Sequence, residues 1–127
     1  MTVARERTLV VVADDEEDIL TLLRVVLGGA GCDVLTAGDG AEAVRLAQEH
    51  RPDLVVLDVA MPRMDGREAT AAIRRSAAIA GVPVLLISAS TSDAARDLAI
   101  SAGADAFIAK PFSARVLVDR VRALLEG

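Results

Sequence analysis

The chain has 127 residues and 13.2 kDa, the size of one domain, and its 53% apolar content is enough for a packed core and too much for disorder. A net charge of −5 and a pI near 4.8 argue against a nucleic-acid-binding surface, because phosphate backbones call for a basic stripe. Two Phe and no Tyr or Trp leave little for a base- or flavin-stacking platform, and the lone cysteine, Cys32, rules out an intrachain disulfide.

Met1 to Arg7 is polar and mixed in charge, unlike a signal peptide. The β-branched run Leu9–Ala13 predicts a first strand. A helix follows it, with Ile19, Leu22, Leu23, Val26 and Leu27 on one stripe and Gly28-Gly29 as its stop. Asp33–Thr36 predicts a second strand. The next helix spans about Ala41–Glu49, with Ala43, Val44 and Ala47 inward, and ends before Pro52. Leu54–Leu57 predicts the third strand and Arg67–Ala78 the third helix. Val82–Ile87 predicts the fourth strand, and a helix begins behind the N-cap candidate Ser92 and ends at Gly103. Ala106–Ala109 predicts the fifth strand. The last helix starts after Ser113, with Leu117, Val121 and Leu124 on one face. No apolar run is long enough to cross a bilayer, so no membrane contact and a cytoplasmic location are expected. No linker or repeat appears, so residues 1–127 read as one domain with a core of about 8–125.

Strict alternation of five strands with five helices predicts an α/β fold, a doubly wound parallel sheet covered on both faces. Such sheets bind ligands at the carboxyl ends of their strands. There the chain places Asp14-Asp15-Glu16, Asp58, Ser88 and Lys110-Pro111, and Lys110 is the one lysine among fourteen basic residues. Taken singly, each is ordinary: helix-start acids, a turn acid, a turn serine, a common dipeptide. Together on one edge they form a chemical set. Clustered carboxylates repel unless neutralised, and hard oxygen donors suit Mg²⁺. A carboxylate can take a phosphoryl group, and an ammonium and a hydroxyl can bond its oxygens.

These residues resemble the response-regulator receiver domain of two-component signalling. The resemblance rests on Asp14-Asp15-Glu16, on Leu57-Asp58-Val-Ala-Met61-Pro62-Arg-Met64-Asp65-Gly66, on Leu86-Ile87-Ser88-Ala89, and on Gly103-Ala-Asp-Ala-Phe107-Ile-Ala-Lys110-Pro111-Phe112. It implies the flavodoxin-like strand order 2-1-3-4-5. It implies that Asp58 accepts the phosphoryl group, that Asp15 ligates Mg²⁺ (or Mn²⁺) directly, and that Asp14 helps through bound water. Asp58 and the Ala60 carbonyl complete the metal set. By the same resemblance Lys110 would pair with Asp58, Ser88 would swing toward the phosphoryl group, and Phe107 would be the aromatic switch. Lys110-Pro111 is joined by a cis peptide bond. The implied donor is a sensor histidine kinase or a histidine phosphotransfer protein, expected to dock on helix one near Leu20 and Arg24 beside Lys110-Pro111-Phe112. The implied output is a change on the face of helix four, strand five and helix five, expected to act on a protein target or on an output domain missing from this chain. The chain by itself is not expected to bind nucleic acid, and it is expected to be a monomer or a phosphorylation-dependent homodimer. Arg96, Asp97, Asp105, Arg115, Asp119 and Arg122 read as solvated. Beyond its own phosphorylation and dephosphorylation, the domain is not expected to be an enzyme.

Three features depart from the common pattern. Ala60 is apolar where a polar side chain is frequent, Ser90 also borders the path of attacking water, and Phe107 lacks a phenol hydroxyl. Competing readings fare worse. A P-loop is absent. A flavodoxin would need a phosphate loop where three acids stand. A haloacid-dehalogenase-type phosphatase would need Asp-x-Asp after strand one. The alternative is a receiver-like interaction module that works without phosphorylation.

Overall fold

The structure is a computed structural model, and it describes residues 7–90 and 92–126. Most of the polar lead-in, residues 1–6, lies outside the described residues, as do Thr91 and Gly127. The elements are β1 (Thr8–Ala13), α1 (Glu17–Gly29), β2 (Cys32–Ala37), α2 (Gly40–His50), β3 (Leu54–Asp58), α3 (Gly66–Arg75), β4 (Val84–Ser88), α4 (Asp93–Ala102), β5 (Ala106–Ala109) and α5 (Ala114–Glu126). The sheet order is β2-β1-β3-β4-β5 and every pairing is parallel.

Period-two alternation divides each central strand between two cores. Val10, Val12, Leu54, Val56, Leu85 and Ile87 face one core, closed by Leu20, Leu23 and Leu27 of α1 and by Leu117 and Val121 of α5. Val11, Ala13, Val55, Leu57, Val84 and Leu86 face the other, closed by Ala43, Ala47, Ala69, Ile73 and Ala99 of α2, α3 and α4. Strands buried on both faces read as unbroken apolar runs, as β3 and β4 do. Each buried Val, Leu or Ile contributes about 1.5–3 kcal/mol. Among the described residues no helix is long and apolar enough to cross a membrane.

The buried stripe of α1 is Leu20, Leu23 and Leu27, whereas Leu22 and Val25 are 43% and 68% exposed. Helix α3 stops at Arg75 instead of continuing to Ala78, because the chain turns at Ser76 and drives Ile79 into the core. The fourth strand begins at Val84 and not at Val82, since Pro83 has no N–H for the ladder.

Arg74, at the end of α3, ties that turn down. Its guanidinium donates to the carbonyls of Gly103 (3.0 Å), Ala80 (3.0 Å) and Val82 (2.7 Å) and to the Asp105 carboxylate (2.7 Å). Asp105 also accepts from the Val84 N–H at 2.8 Å, so it is not merely solvated, as the sequence had indicated. Arg115 and Asp119, by contrast, form only an exposed pair at 3.9 Å. Arg74→Met keeps the apolar stem and removes all these bonds. It is expected to lower stability by about 2–4 kcal/mol, read as a shift in urea midpoint. Lysine at this position is expected not to rescue, because one ammonium cannot reproduce the planar fork.

Candidate functional site

Strand register assembles the site. Ala13 pairs with Leu57, Leu57 with Leu86, and Leu86 with Phe107, so the carboxyl ends of four strands lie level. Asp14 and Asp58 come next, Ser88 stands two residues beyond Leu86, and all three emerge on one edge; Lys110 follows Ala109, the partner of Ser88. The Lys110 N–H donates to the Ser88 carbonyl at 2.8 Å, and the peptide bond from Lys110 to Pro111 is cis.

Asp14 is 1% exposed and Asp58 is 5% exposed. The Lys110 ammonium lies between them, 3.0 Å from Asp14 Oδ2 and 3.1 Å from Asp58 Oδ1. A pairing with Asp58 alone was the expectation; the structure shows one cation shared by two buried carboxylates. The second oxygen of Asp14 accepts the Glu16 N–H at 2.9 Å, which aims the acidic loop.

This sharing sets the electrostatics. Burial pushes the Asp58 carboxyl up to a pKa of about 6; the hydrogen bond from Lys110 opposes this, and the charges of Asp14 and Asp15 reinforce it. Burial works against the Lys110 ammonium too. Its hydrogen bonds to Asp14 and Asp58 outweigh that penalty and hold its pKa above the ordinary lysine value. The site therefore carries uncompensated negative charge, because one ammonium cannot neutralise the whole acidic set.

Carboxylate oxygens of Asp14, Asp15 and Glu16 all lie within 4.8 Å of one another. Glu16 is the addition here: it is exposed and its side chain makes no capping bond at the start of α1. An all-oxygen donor set beside excess negative charge fits a hard divalent cation.

Two loops buttress the edge. Asp39 caps α2 by accepting the Glu42 N–H, and it binds Arg63 of the β3–α3 loop at 2.7 Å. The Gly40 N–H donates to the Met64 carbonyl at 3.0 Å. Gly66 opens α3 with no room for a side chain, since a Cβ there would strike the Asp58 carbonyl oxygen. Asp65 and Glu68 close a capping box on the same helix.

The remaining predicted residues lie close by. Ser88 is buried, and its Oγ accepts the Ser90 N–H at 3.0 Å. Ser90 Oγ lies 3.1 Å from Ser92 Oγ, and Ser92 in turn caps α4 by accepting the Ala95 N–H. Ala60 and Ser90 are both exposed. Phe107 is half-buried between two cavities. One, of about 220 Å³, includes Val59, Arg67, Ser88 and Leu98 in its lining; the other, of about 390 Å³, includes Arg96, Ile100 and Arg120. Beside the site, Ile19 and Leu22 of α1 meet Lys110, Pro111 and Phe112 around an apolar recess of about 270 Å³. Leu20, named earlier as a surface contact, is instead 5% exposed in the core.

Comparison with known proteins gives a consistent result. A family profile described as the response regulator receiver domain matches residues 10–122. The chain is 47% identical over 116 residues to the transcriptional regulatory protein PrrA of Mycobacterium tuberculosis, covering 91% of this chain and 49% of that protein. It is 41% identical over 116 residues to the alkaline phosphatase synthesis transcriptional regulatory protein PhoP of Bacillus subtilis, covering 91% of this chain and 48% of PhoP. The chain thus spans about half the length of the curated relatives it matches. Among solved structures, chemotaxis protein CheY4 of Vibrio cholerae superposes with a TM-score of 0.89 at 31% identity, covering 93% of this chain and 98% of that one. The receiver domain of sensor histidine kinase PA1611 from Pseudomonas aeruginosa, solved with magnesium in its active-site cleft, superposes with a TM-score of 0.89 at 26% identity, covering 95% and 99%.

Proposed function

The chain belongs to the response regulator receiver domain family, and from that premise we propose that Asp58 accepts a phosphoryl group from a phosphohistidine in a Mg²⁺-dependent reaction. The observation that carries this reading is the Lys110 ammonium held between buried Asp14 and Asp58 at 3.0 and 3.1 Å. In the transfer an Asp58 carboxylate oxygen forms a bond to phosphorus, the bond from phosphorus to the donor's imidazole nitrogen breaks, and the imidazole leaves. Lys110, already within reach of Asp58, follows the charge onto the phosphoryl oxygens. Ser88 gives up its bond from Ser90 and donates its own hydroxyl to the phosphoryl group.

Asp14, Asp15, Asp58 and the Ala60 carbonyl would hold Mg²⁺, with Glu16 at the rim. When bound, the ion neutralises charge on the transferring oxygens. The recess of Ile19, Leu22, Pro111 and Phe112 is the surface on which we place the donor, because it is apolar and directly adjoins Lys110. The output runs through the face of α4, β5 and α5 to a protein surface or to an attached output domain. Added negative charge at Asp58 biases that face through Ser88 and Phe107.

Acetyl phosphate with Mg²⁺ is expected to add one phosphate to the mass of the intact protein, and EDTA to prevent it. No added mass in the presence of Mg²⁺ would favour an interaction module that works without phosphorylation.

A further inference from the structure

Arg67 lies in the first turn of α3, and its Nε–H is buried with no hydrogen-bond partner, the one such side-chain atom among the described residues. An orphaned buried donor is costly and calls for a partner. The nearest carboxylate, Asp65, stands 3.6 Å from a terminal nitrogen and leaves Nε unmet. Arg67 lines the cavity of about 220 Å³ together with Val59, Ser88, Leu98 and Phe107. Phe107 also forms part of the wall of the larger cavity beside α5. The ring therefore stands between two spaces. The smaller exceeds the roughly 150 Å³ in which an apolar cavity can hold a benzene molecule.

We propose that Arg67 is a positioning residue for the Phe107 switch: when the ring turns into the smaller cavity, the guanidinium of Arg67 receives it, the N–H groups against the ring face. Three observations support this. Phe107 has no hydroxyl, so its inward position cannot rest on a phenol hydrogen bond. Arg67 is the one charged residue lining that cavity, and a cation is attracted to the face of an aromatic ring. The orphaned Nε–H then gains an acceptor, since ring faces accept weak N–H bonds. Ser88 shares the cavity, so its departure toward a phosphoryl group enlarges the space at the moment the ring must enter. This inference rests on the reading of Asp58 as the phosphoacceptor and of Ser88 and Phe107 as its switch.

The test uses protein labelled with 4-fluorophenylalanine. The chain has two phenylalanines, and Phe107→Leu identifies the switch signal by its loss. Fluorine spectra are taken before and after acetyl phosphate with Mg²⁺, with loading followed by intact mass. The wild-type Phe107 signal is expected to move on loading. Arg67→Met, which keeps an unbranched apolar stem, is expected to load to the same extent while the ratio of inward to outward ring falls about 2- to 30-fold. Arg67→Lys, which keeps the cation and loses the plane, is expected to fall between. An equal fluorine shift in wild type and Arg67→Met overturns the inference while leaving phosphoacceptance intact. Loss of loading in Arg67→Met also overturns it, because Arg67 then acts on the phosphoryl group and not on the ring. No loading of the wild type overturns the phosphoacceptor reading, and this inference with it.

Discussion

Lys110→Ala is expected to cost metal-free protein about 3 kcal/mol at pH 8 and to slow phosphorylation by acetyl phosphate by roughly 10²-fold or more. The ammonium serves Asp14 and Asp58 together, and both are buried. Removing it strands two charges in a medium that solvates neither. Breaking a buried pair in this way costs roughly 3–5 kcal/mol when no proton can relieve it. Here a proton can, because Asp58 already titrates near 6. The deficit is therefore expected to shrink as pH falls toward 5, which separates an electrostatic role from lost packing. Urea midpoints at pH 5 and pH 8 in EDTA measure the stability, and intact mass over time measures the rate. Equal deficits at both pH values would assign Lys110 a packing role. Mg²⁺ is expected to restore part of the loss, since a ligand that binds only the folded form stabilises it.

Asp58→Asn is expected to abolish phosphorylation and, in EDTA, to make the protein more stable above pH 6 by about 1–2 kcal/mol. The two effects have one origin. The Asp58 carboxyl titrates at about 6 in the fold, above the 3.8 of an unperturbed aspartate. A raised carboxyl favours the fold in its protonated form. That contribution is complete below about 3.8 and is lost as pH rises through about 6, so at neutral pH the ionised group weighs against folding. The difference between 3.8 and about 6 sets a ceiling near 3 kcal/mol, and relaxation of the surroundings brings the expected value below it. Asparagine has nearly the same shape and no charge to desolvate. The wild type and the variant should converge near pH 4 and separate by pH 8 in urea titrations. Equal stability at both pH values would mean that Asp58 is solvated more freely than its 5% exposure implies. Mg²⁺ is expected to narrow the gap, because it compensates the charge that asparagine lacks.

How much of this was legible in the residues depends on how local each cause is. Strands β3 and β4 announce themselves as apolar runs, because both of their faces are covered. The boundaries of α4 follow from Ser92, which accepts the Ala95 N–H, and from Gly103, whose φ of 104° suits a residue without a side chain. Helix α1 was harder. Between Ile19 and Leu27 seven of nine positions are apolar, so periodicity allowed two overlapping stripes. Contact with α5 and the sheet selected Leu20, Leu23 and Leu27 and left Leu22 beside Phe112. The end of α3 and the fate of Asp105 depended on Arg74, whose partners lie up to 31 residues away in sequence.

The site divides in the same way. The identity and order of Asp14, Asp15, Asp58, Ser88 and Lys110 stand in the sequence, because each ends a strand or directly follows one and parallel strands end together. Their energetics do not. Lys110 bridges Asp14 and Asp58 across separations of 96 and 52 residues, and only the register of β1, β3, β4 and β5 brings those atoms within 3.1 Å. The orphaned Arg67 Nε–H and the cavity shared by Arg67 and Phe107 are likewise products of packing. Residue type and local spacing determine which chemical groups the chain owns and which strand end carries each. Burial and charge sharing arise from contacts between distant segments, and they decide how strongly those groups are held.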